Sequence, residues 1–183
     1  MPLSQIDPIA ALVVIDLQKG VLGMPTVHPT ADIVARSARL AQAFRDKGLP
    51  VVLVNVTGRA PGRTGNPRPF NPPAGWEELT PELNAQPSDY RVTKQNIGAF
   101  YGTGLDMMLR RRGVTQVILT GISTSSGVEA TARAAYDHGY NVVTVIDGMT
   151  DLDADAHKNS VERQFIKIGE TTTTEEVLAK LGV

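Results

Sequence analysis

Asp16 directly follows the apolar run Ala10-Ala11-Leu12-Val13-Val14-Ile15. A carboxylate at the end of such a run is half-desolvated, which raises its pKa unless a cation lies close, and such a group is a candidate general acid or base. The plainer use for it is to cap a turn through backbone N–H groups. Lys94 ends a second, weaker run, Tyr90-Arg91-Val92-Thr93-Lys94, and would supply a cation, although a Lys in such a place is commonly a solvated side chain. The third group is Thr120-Gly121-Ile122-Ser123-Thr124-Ser125-Ser126-Gly127-Val128-Glu129, which passes from an apolar run into a helical pattern through small hydroxyl residues and two glycines. The first N–H groups of a helix lack partners and favour an anion. Ser123, Thr124, Ser126 and Gly127 are therefore candidates for holding a carboxylate or an oxyanion, while Ser125 or Ser126 would also serve as the helix N-cap. The chain contains no cysteine, which excludes a thiolate nucleophile, a thiolate metal site and a disulfide framework together.

The elements that must position these groups alternate along the chain. Ala10–Ile15 and Val51–Val56 are short, continuous and rich in β-branched residues, as strands buried on both faces are. Between them Ile33, Val34, Leu40, Ala41 and Phe44 recur at helical spacing from Thr30 to Lys47, and Gly48 offers a left-handed stop. A Pro/Gly/Asn-rich stretch from Gly58 to Gly75 reads as one long loop. Beyond it come the strand candidate Tyr90–Lys94, a helix from Leu105 to Arg112 closed by Gly113, a buried strand from Gln116 to Thr120, and a helix from Ser126 to His138 stopped by Gly139. A fifth strand from Asn141 to Ile146, a helix from Ala154 to Lys167, and a last short helix opened by a capping box of Thr173 and Glu176 complete the pattern. Strand and helix in alternation, with near-continuous apolar strands, predict a parallel sheet covered by helices on both faces. Ligands of such sheets bind beyond the carboxyl ends of the strands. Asp16-Leu17-Gln18, Lys94 and Gly121 to Gly127 all lie at such ends.

Composition narrows the function classes. At 183 residues the chain suits one domain, residues 1–183. Eighteen basic against nineteen acidic side chains leave a net charge of -1, so neither nucleic acid nor an anionic membrane is expected as a partner. Met1 to Pro8 lacks the pattern of a signal peptide and no apolar run is long enough to span a bilayer, so a cytoplasmic location is expected. Neither Gly-x-Gly-x-x-Gly nor Gly-x-x-x-x-Gly-Lys occurs, and Gly-x-Ser-x-x-x-Gly is not the nucleophile elbow of the α/β-hydrolases.

Taken together, Val13-Val14-Ile15-Asp16-Leu17-Gln18, Val92-Thr93-Lys94 with Ala99-Phe100 behind it, and Thr120-Gly121-Ile122-Ser123-Thr124 running into Val128-Glu129-Ala130-Thr131-Ala132-Arg133-Ala134-Ala135 resemble the isochorismatase-like hydrolase superfamily. Gly139-Tyr140-Asn141-Val142, Asp147-Gly148-Met149, Ala156-His157 and Thr173-Thr174-Glu175-Glu176-Val177-Leu178 extend the resemblance, which runs from about residue 10 to residue 179. It implies a three-layer α/β/α fold with a six-stranded, mostly parallel, doubly wound sheet, and a homodimer or higher homo-oligomer. Most members resemble nicotinamidase or carbamoylsarcosine hydrolase and use an Asp, Lys, Cys triad. Asp16 matches the Asp and Lys94 the Lys, but Gly127 stands at the cysteine position. For the neighbouring Ser126 to replace it, that residue would have to move about 100° around a helix axis.

Within the superfamily the isochorismatases resemble this chain in Asp16, Lys94 and Gly127. They cleave a vinyl ether, with the Asp as general acid and no protein nucleophile. That branch carries Gly-Val-Tyr-Ala-His where this chain has Gly121-Ile122-Ser123-Thr124-Ser125, so a substrate-contacting tyrosine is missing. Substrate contacts are expected from Gln18, Phe100, Ser123, Thr124, Ser126 and Trp76, with Arg63 or Arg68 of the long loop as cations for a small anionic substrate. The resemblance also implies a non-proline cis peptide at Ser123–Thr124. Metal-binding members carry Asp-x-His after the second strand, where this chain reads Thr57-Gly58-Arg59-Ala60, and its three histidines are far apart in sequence, with His157 expected to be structural. No metal and no cofactor are expected. The reading is a cysteine-independent hydrolase in which Asp16 works with Lys94. An amide or ester hydrolase using an Asp16-activated water, and an inactive ligand-binding relic, are the alternatives.

Overall fold

In a computed structural model of the chain, described over residues 2–65 and 70–183, one sheet carries the fold. Its strands are β1 (Ala10–Ile15), β2 (Val51–Val56), β3 (Tyr90–Lys94), β4 (Gln116–Ile122), β5 (Asn141–Thr150) and β6 (Glu170–Thr172). They lie in the order β3-β2-β1-β4-β5-β6, with every neighbouring pair parallel. The chain builds outward from β1 to β3, then returns to place β4 against the other side of β1. The order therefore reverses between β1 and β4, and a crevice opens beyond their carboxyl ends.

Among the described residues six α-helices accompany the sheet: α1 (Lys19–Leu22), α2 (Thr30–Asp46), α3 (Leu105–Arg111), α4 (Glu129–Asp137), α5 (Ala154–Asn159) and α6 (Thr174–Leu181). Every residue of β1 is buried, and the two-residue alternation of a strand divides the core into two layers. Leu12 and Val14 pack with Ile33, Leu40 and Phe44 of α2 and Val177 of α6. Ala11, Val13 and Ile15 pack on the other side with Leu105 and Leu109 of α3 and Ala132 of α4. The apolar runs were continuous because both faces are covered. The expected helix stops are real: Gly48, Gly113 and Gly139 take φ of 68, 69 and 84°. Thr173 and Glu176 form the expected capping box on α6.

Three elements differ from expectation. The expected helix from Ala154 to Lys167 is broken into α5, a wide π turn over Ser160–Gln164 and a 3-10 turn over Phe165–Lys167. Ser160 bonds back to the Ala156 carbonyl and across to Glu129 Oε2, which disturbs the helix ladder, while Phe165 drops into the core. The helix expected from Ser126 opens as a π turn over Thr124–Val128, in which Ser123 O accepts from both Ser126 N and Val128 N. Neither Ser125 nor Ser126 caps it. β6 carries no apolar pattern, only Glu-Thr-Thr, and forms because Val143, Thr144 and Val145 of β5 offer it a partner edge. Among the described residues, no helix is long and apolar enough to cross a membrane.

Candidate active site

Asp16 is the first residue past β1 and sits with a left-handed φ of 53°, an uncommon conformation for a residue with a side chain and one found often at functional sites. The carboxyl does not cap a turn. Its Oδ2 pairs with Lys94 Nζ at 2.8 Å, and its Oδ1 is buried with no hydrogen-bond partner among the described residues. The sheet makes this meeting possible. β3 lies two strands from β1, with Val56 in register with Lys94, so the long lysine stem reaches across the end of β2. Lys94 also donates to the Asn96 carbonyl at 3.2 Å, and both members of the pair are almost wholly buried. Burial pushes the Asp16 carboxyl up, and the Lys94 ammonium pulls it back only in part, leaving its pKa at about 6.

Gly127 faces this pair from the turn after β4. A Cβ built on Gly127 would lie 3.4 Å from Asp16 Oδ2 and 3.1 Å from Ile15 Cγ2. A side chain there would thus touch the carboxyl directly, and the glycine leaves Asp16 without one. Asp16, Lys94, Ser123, Ser126 and Gly127 line a cavity of about 260 Å³ whose walls include Val21, Met24, Val56, Ile97, Ile122, Phe70 and Trp76. Phe70 and Trp76 pack edge to face with ring centres 5.3 Å apart. A larger hollow, about 450 Å³, lies at the opposite end of the sheet. Its buried carboxylate, Asp7, is already bonded to Thr115, Asn141 and Gln5, so the chemistry points to the smaller one.

Several expected contacts lie elsewhere. Gln18 is fully buried and is not among the cavity's described lining residues; its side chain clamps the backbone N–H and C=O of Val56 and the carbonyl of Trp76. Phe100 packs into the core against His138 and Tyr140, because the chain after Lys94 turns back on itself under α4. Thr124 is also fully buried, with its hydroxyl 2.8 Å from His157 Nδ1. The cis peptide is one bond earlier than expected, at Ile122–Ser123. Arg63 borders a neighbouring hollow, and Arg68 lies outside the described residues. Besides Lys94, the cation at the cavity is instead Arg59, which has no ion pair or hydrogen bond among the described residues.

Arg59 and Asp151 were missed. Both follow the carboxyl ends of strands, β2 and β5, so the rule that singled out Asp16 and Lys94 applied to them too. Asp151 Oδ2 accepts from Ser125 N at 2.6 Å, a carboxylate supplying the helix cap that the serines do not. With Ser126 N bonded to Ser123 O, two of the first amides of that turn are engaged within the protein. Among the described residues no three His, Asp or Glu side chains come together as a metal-ligand set.

Comparison with known proteins agrees with this frame. The isochorismatase domain model matches residues 10–176. The chain is 40% identical over 179 residues to the isochorismatase family protein YecD of Escherichia coli O157:H7, covering 93% of this chain and 95% of that one. It is 31% identical to the ureidoacrylate amidohydrolase RutB of Variovorax paradoxus, over 78% of this chain and 69% of the relative. A solved isochorismatase family protein from Burkholderia thailandensis superposes with a TM-score of 0.94 at 42% identity, covering 98% of each chain. The all-parallel doubly wound sheet, the carboxyl in its crevice and these relatives lead to one assignment: the chain belongs to the isochorismatase family and is a hydrolase.

Proposed function

We propose that the chain hydrolyses a small anionic molecule without a covalent enzyme intermediate, by vinyl-ether cleavage with Asp16 as general acid. The observation that carries this reading is a buried carboxyl with one oxygen unpartnered among the described residues, facing a glycine where a nucleophile would stand; burial pushes its pKa up to about 6. In the acid form Asp16 gives its proton to the terminal methylene carbon of an enolpyruvyl group, and the C=C electrons form that C–H bond. The oxocarbenium ion left behind takes up water, which returns a proton to the Asp16 carboxylate. The resulting hemiketal then breaks its C–O bond to give pyruvate and an alcohol. Lys94 holds Oδ2, which orients the carboxyl and stabilises the carboxylate formed when the proton leaves. Arg59, carrying a positive charge at the apolar cavity, supplies the contact for the substrate anion. Ser123 and Ser126 offer hydroxyls beside the reacting atoms, and Trp76 offers a flat apolar wall. The scheme draws on protein groups and water alone.

The similarity to a ureidoacrylate amidohydrolase favours a second reading, hydrolysis of an amide or ester by a water that ionised Asp16 activates. Against it, the Ser125 and Ser126 amides are engaged, so the turn has fewer free donors for an oxyanion. The test is pyruvate release from isochorismate, coupled to lactate dehydrogenase, for wild type beside Asp16→Asn. Turnover that falls about 100-fold or more in the variant supports the acid, a size typical of positioned proton transfer. No pyruvate from wild type, or an undiminished rate in Asp16→Asn, would overturn the vinyl-ether reading.

A further inference from the structure

The short helix α1 has a glycine in its first turn, Gly20, although its backbone does not need one. Gly20 is not among the residues with a left-handed φ, and glycine is disfavoured inside helices. What occupies the missing side chain's place is the indole of Trp76: a Cβ built on Gly20 would fall within the ring, against Cδ1, Nε1 and Cγ. The indole is seated on bare helix backbone, and it also bounds the Asp16 cavity.

The main chain behind the indole is fixed from several directions. Trp76 O accepts from Gly20 N at 3.0 Å and from Gln18 Nε2 at 3.2 Å. Glu78 O accepts from Lys19 N at 2.9 Å, Glu77 O accepts from Asn55 Nδ2 at 3.0 Å, and the Lys19 and Glu78 side chains form an ion pair. Gln18 and Leu79 pair as an isolated antiparallel bridge. With residues 76–79 tied to α1 and β2, a side chain at position 20 cannot be relieved by moving that backbone away. The ring must turn about its own torsions, and the open space beside it is the cavity.

We propose that Gly20 is a specificity-determining residue of this site, setting the largest molecule the cavity admits by giving Trp76 its seat. The proposal rests on the reading that the Asp16 cavity is where substrate reacts. A larger residue at 20 narrows the cavity from behind, without touching Asp16, Lys94 or Gly127.

Crystal structures of Gly20→Ala and Gly20→Val test this, together with Trp76 fluorescence, which is unambiguous because the chain has one tryptophan. In both variants the indole is expected to swing into the cavity, with a shifted emission maximum and changed acrylamide quenching. With isochorismate as the assayed substrate, KM is expected to rise at least tenfold in Gly20→Val with kcat less affected. In a Trp76→Leu background Gly20→Val should leave KM where Trp76→Leu alone sets it, because no ring is left for residue 20 to displace. An indole that keeps its place, or swings to solvent and leaves the cavity at its full volume, would overturn the proposal. Wild type that fails to turn over isochorismate would sink the vinyl-ether reading instead, and the position of the ring would still decide the role of Gly20.

Discussion

If burial outweighs Lys94 at Asp16, the folded protein holds a proton there that the unfolded chain has lost. The carboxyl rises from an ordinary 3.8 to about 6, and at about 1.4 kcal/mol for each pH unit this is worth about 3 kcal/mol. Between those two values the native state binds more protons than the unfolded state, so stability falls as pH rises. The contribution is fully present below pH 3.8 and lost as pH climbs through 6. Asp16→Asn abolishes the titration and leaves Lys94 beside a neutral amide, a cost that does not vary over this range. Urea unfolding of both proteins should therefore give a stability difference, wild type minus variant, that declines by about 2 kcal/mol from pH 4 to pH 7.5. In the same interval the acid mechanism requires kcat/KM to fall about tenfold for each pH unit above 6, because only the protonated carboxyl can donate. A stability difference that is flat, or that grows with pH, would mean that Lys94 dominates and the carboxyl is ionised throughout. Asp16 would then be a base, and the general-acid scheme would fail.

Gly127→Cys gives the chain a single thiol against Asp16 Oδ2, at the cost of slight overpacking on Ile15. The Asp16 carboxylate beside it disfavours the thiolate, so its alkylation by iodoacetamide should need a higher pH than in the double variant with Asp16→Asn; the same pH profile in both would refute the contact. Trp76→Leu opens the apolar wall to water, and the Asp16 pKa, followed by carboxyl carbon NMR, should move from about 6 back toward 3.8. An unmoved midpoint would show that the wall does not keep the site dry. Far from the site, Arg45 and Asp89 form an ion pair at 2.8 Å with side chains 9% and 1% exposed. Asp89→Ala strands a buried guanidinium and should cost about 3–5 kcal/mol in urea unfolding, and a loss below about 1 kcal/mol would refute this account of the pair.

The parts of the site legible in the sequence are those that the sheet positions. A parallel sheet delivers the carboxyl end of every strand to one edge, so Asp16, Lys94 and the turn to Gly127 could be placed from three apolar runs and their order. Arg59 lies three residues past β2, whose end at Val56 was legible, but within a loop that no pattern places; Asp151 follows β5, whose full extent was not visible. The β5 run continues through Asp147-Gly148-Met149-Thr150, where its apolar pattern weakens. What the loops position was not legible. Phe100 follows Lys94 at a spacing that suggested the cavity, yet the turn between them carries its ring into the core. Gln18 is two residues past Asp16 and points to the backbone of β2, since the left-handed backbone at Asp16 breaks the strand's alternation. The seat of Trp76 on Gly20 joins residues 56 apart in sequence through contacts that no periodicity encodes.

The absence of a side chain at residue 127 and the apolar lining of the cavity bear on one another. A thiol at that position would offer Asp16 Oδ2 a polar neighbour; here the carboxyl has Lys94 on one oxygen and nothing described on the other. Its proton affinity is then set by how well water is kept out, since burial is the largest influence and the lysine opposes it. Around it stand the apolar groups Val21, Val56, Ile122 and Trp76, which offer water no partner, and Trp76 is held in turn by Gln18 and Gly20. On the proposed mechanism, the wall that limits the size of the substrate also favours the acid form of the carboxyl: a looser wall admits larger molecules and weakens the proton's hold on Asp16 at neutral pH. Substrate range and acid chemistry cannot vary independently in this site, because the aromatic surface that sets the first also sets the dielectric surroundings of the second.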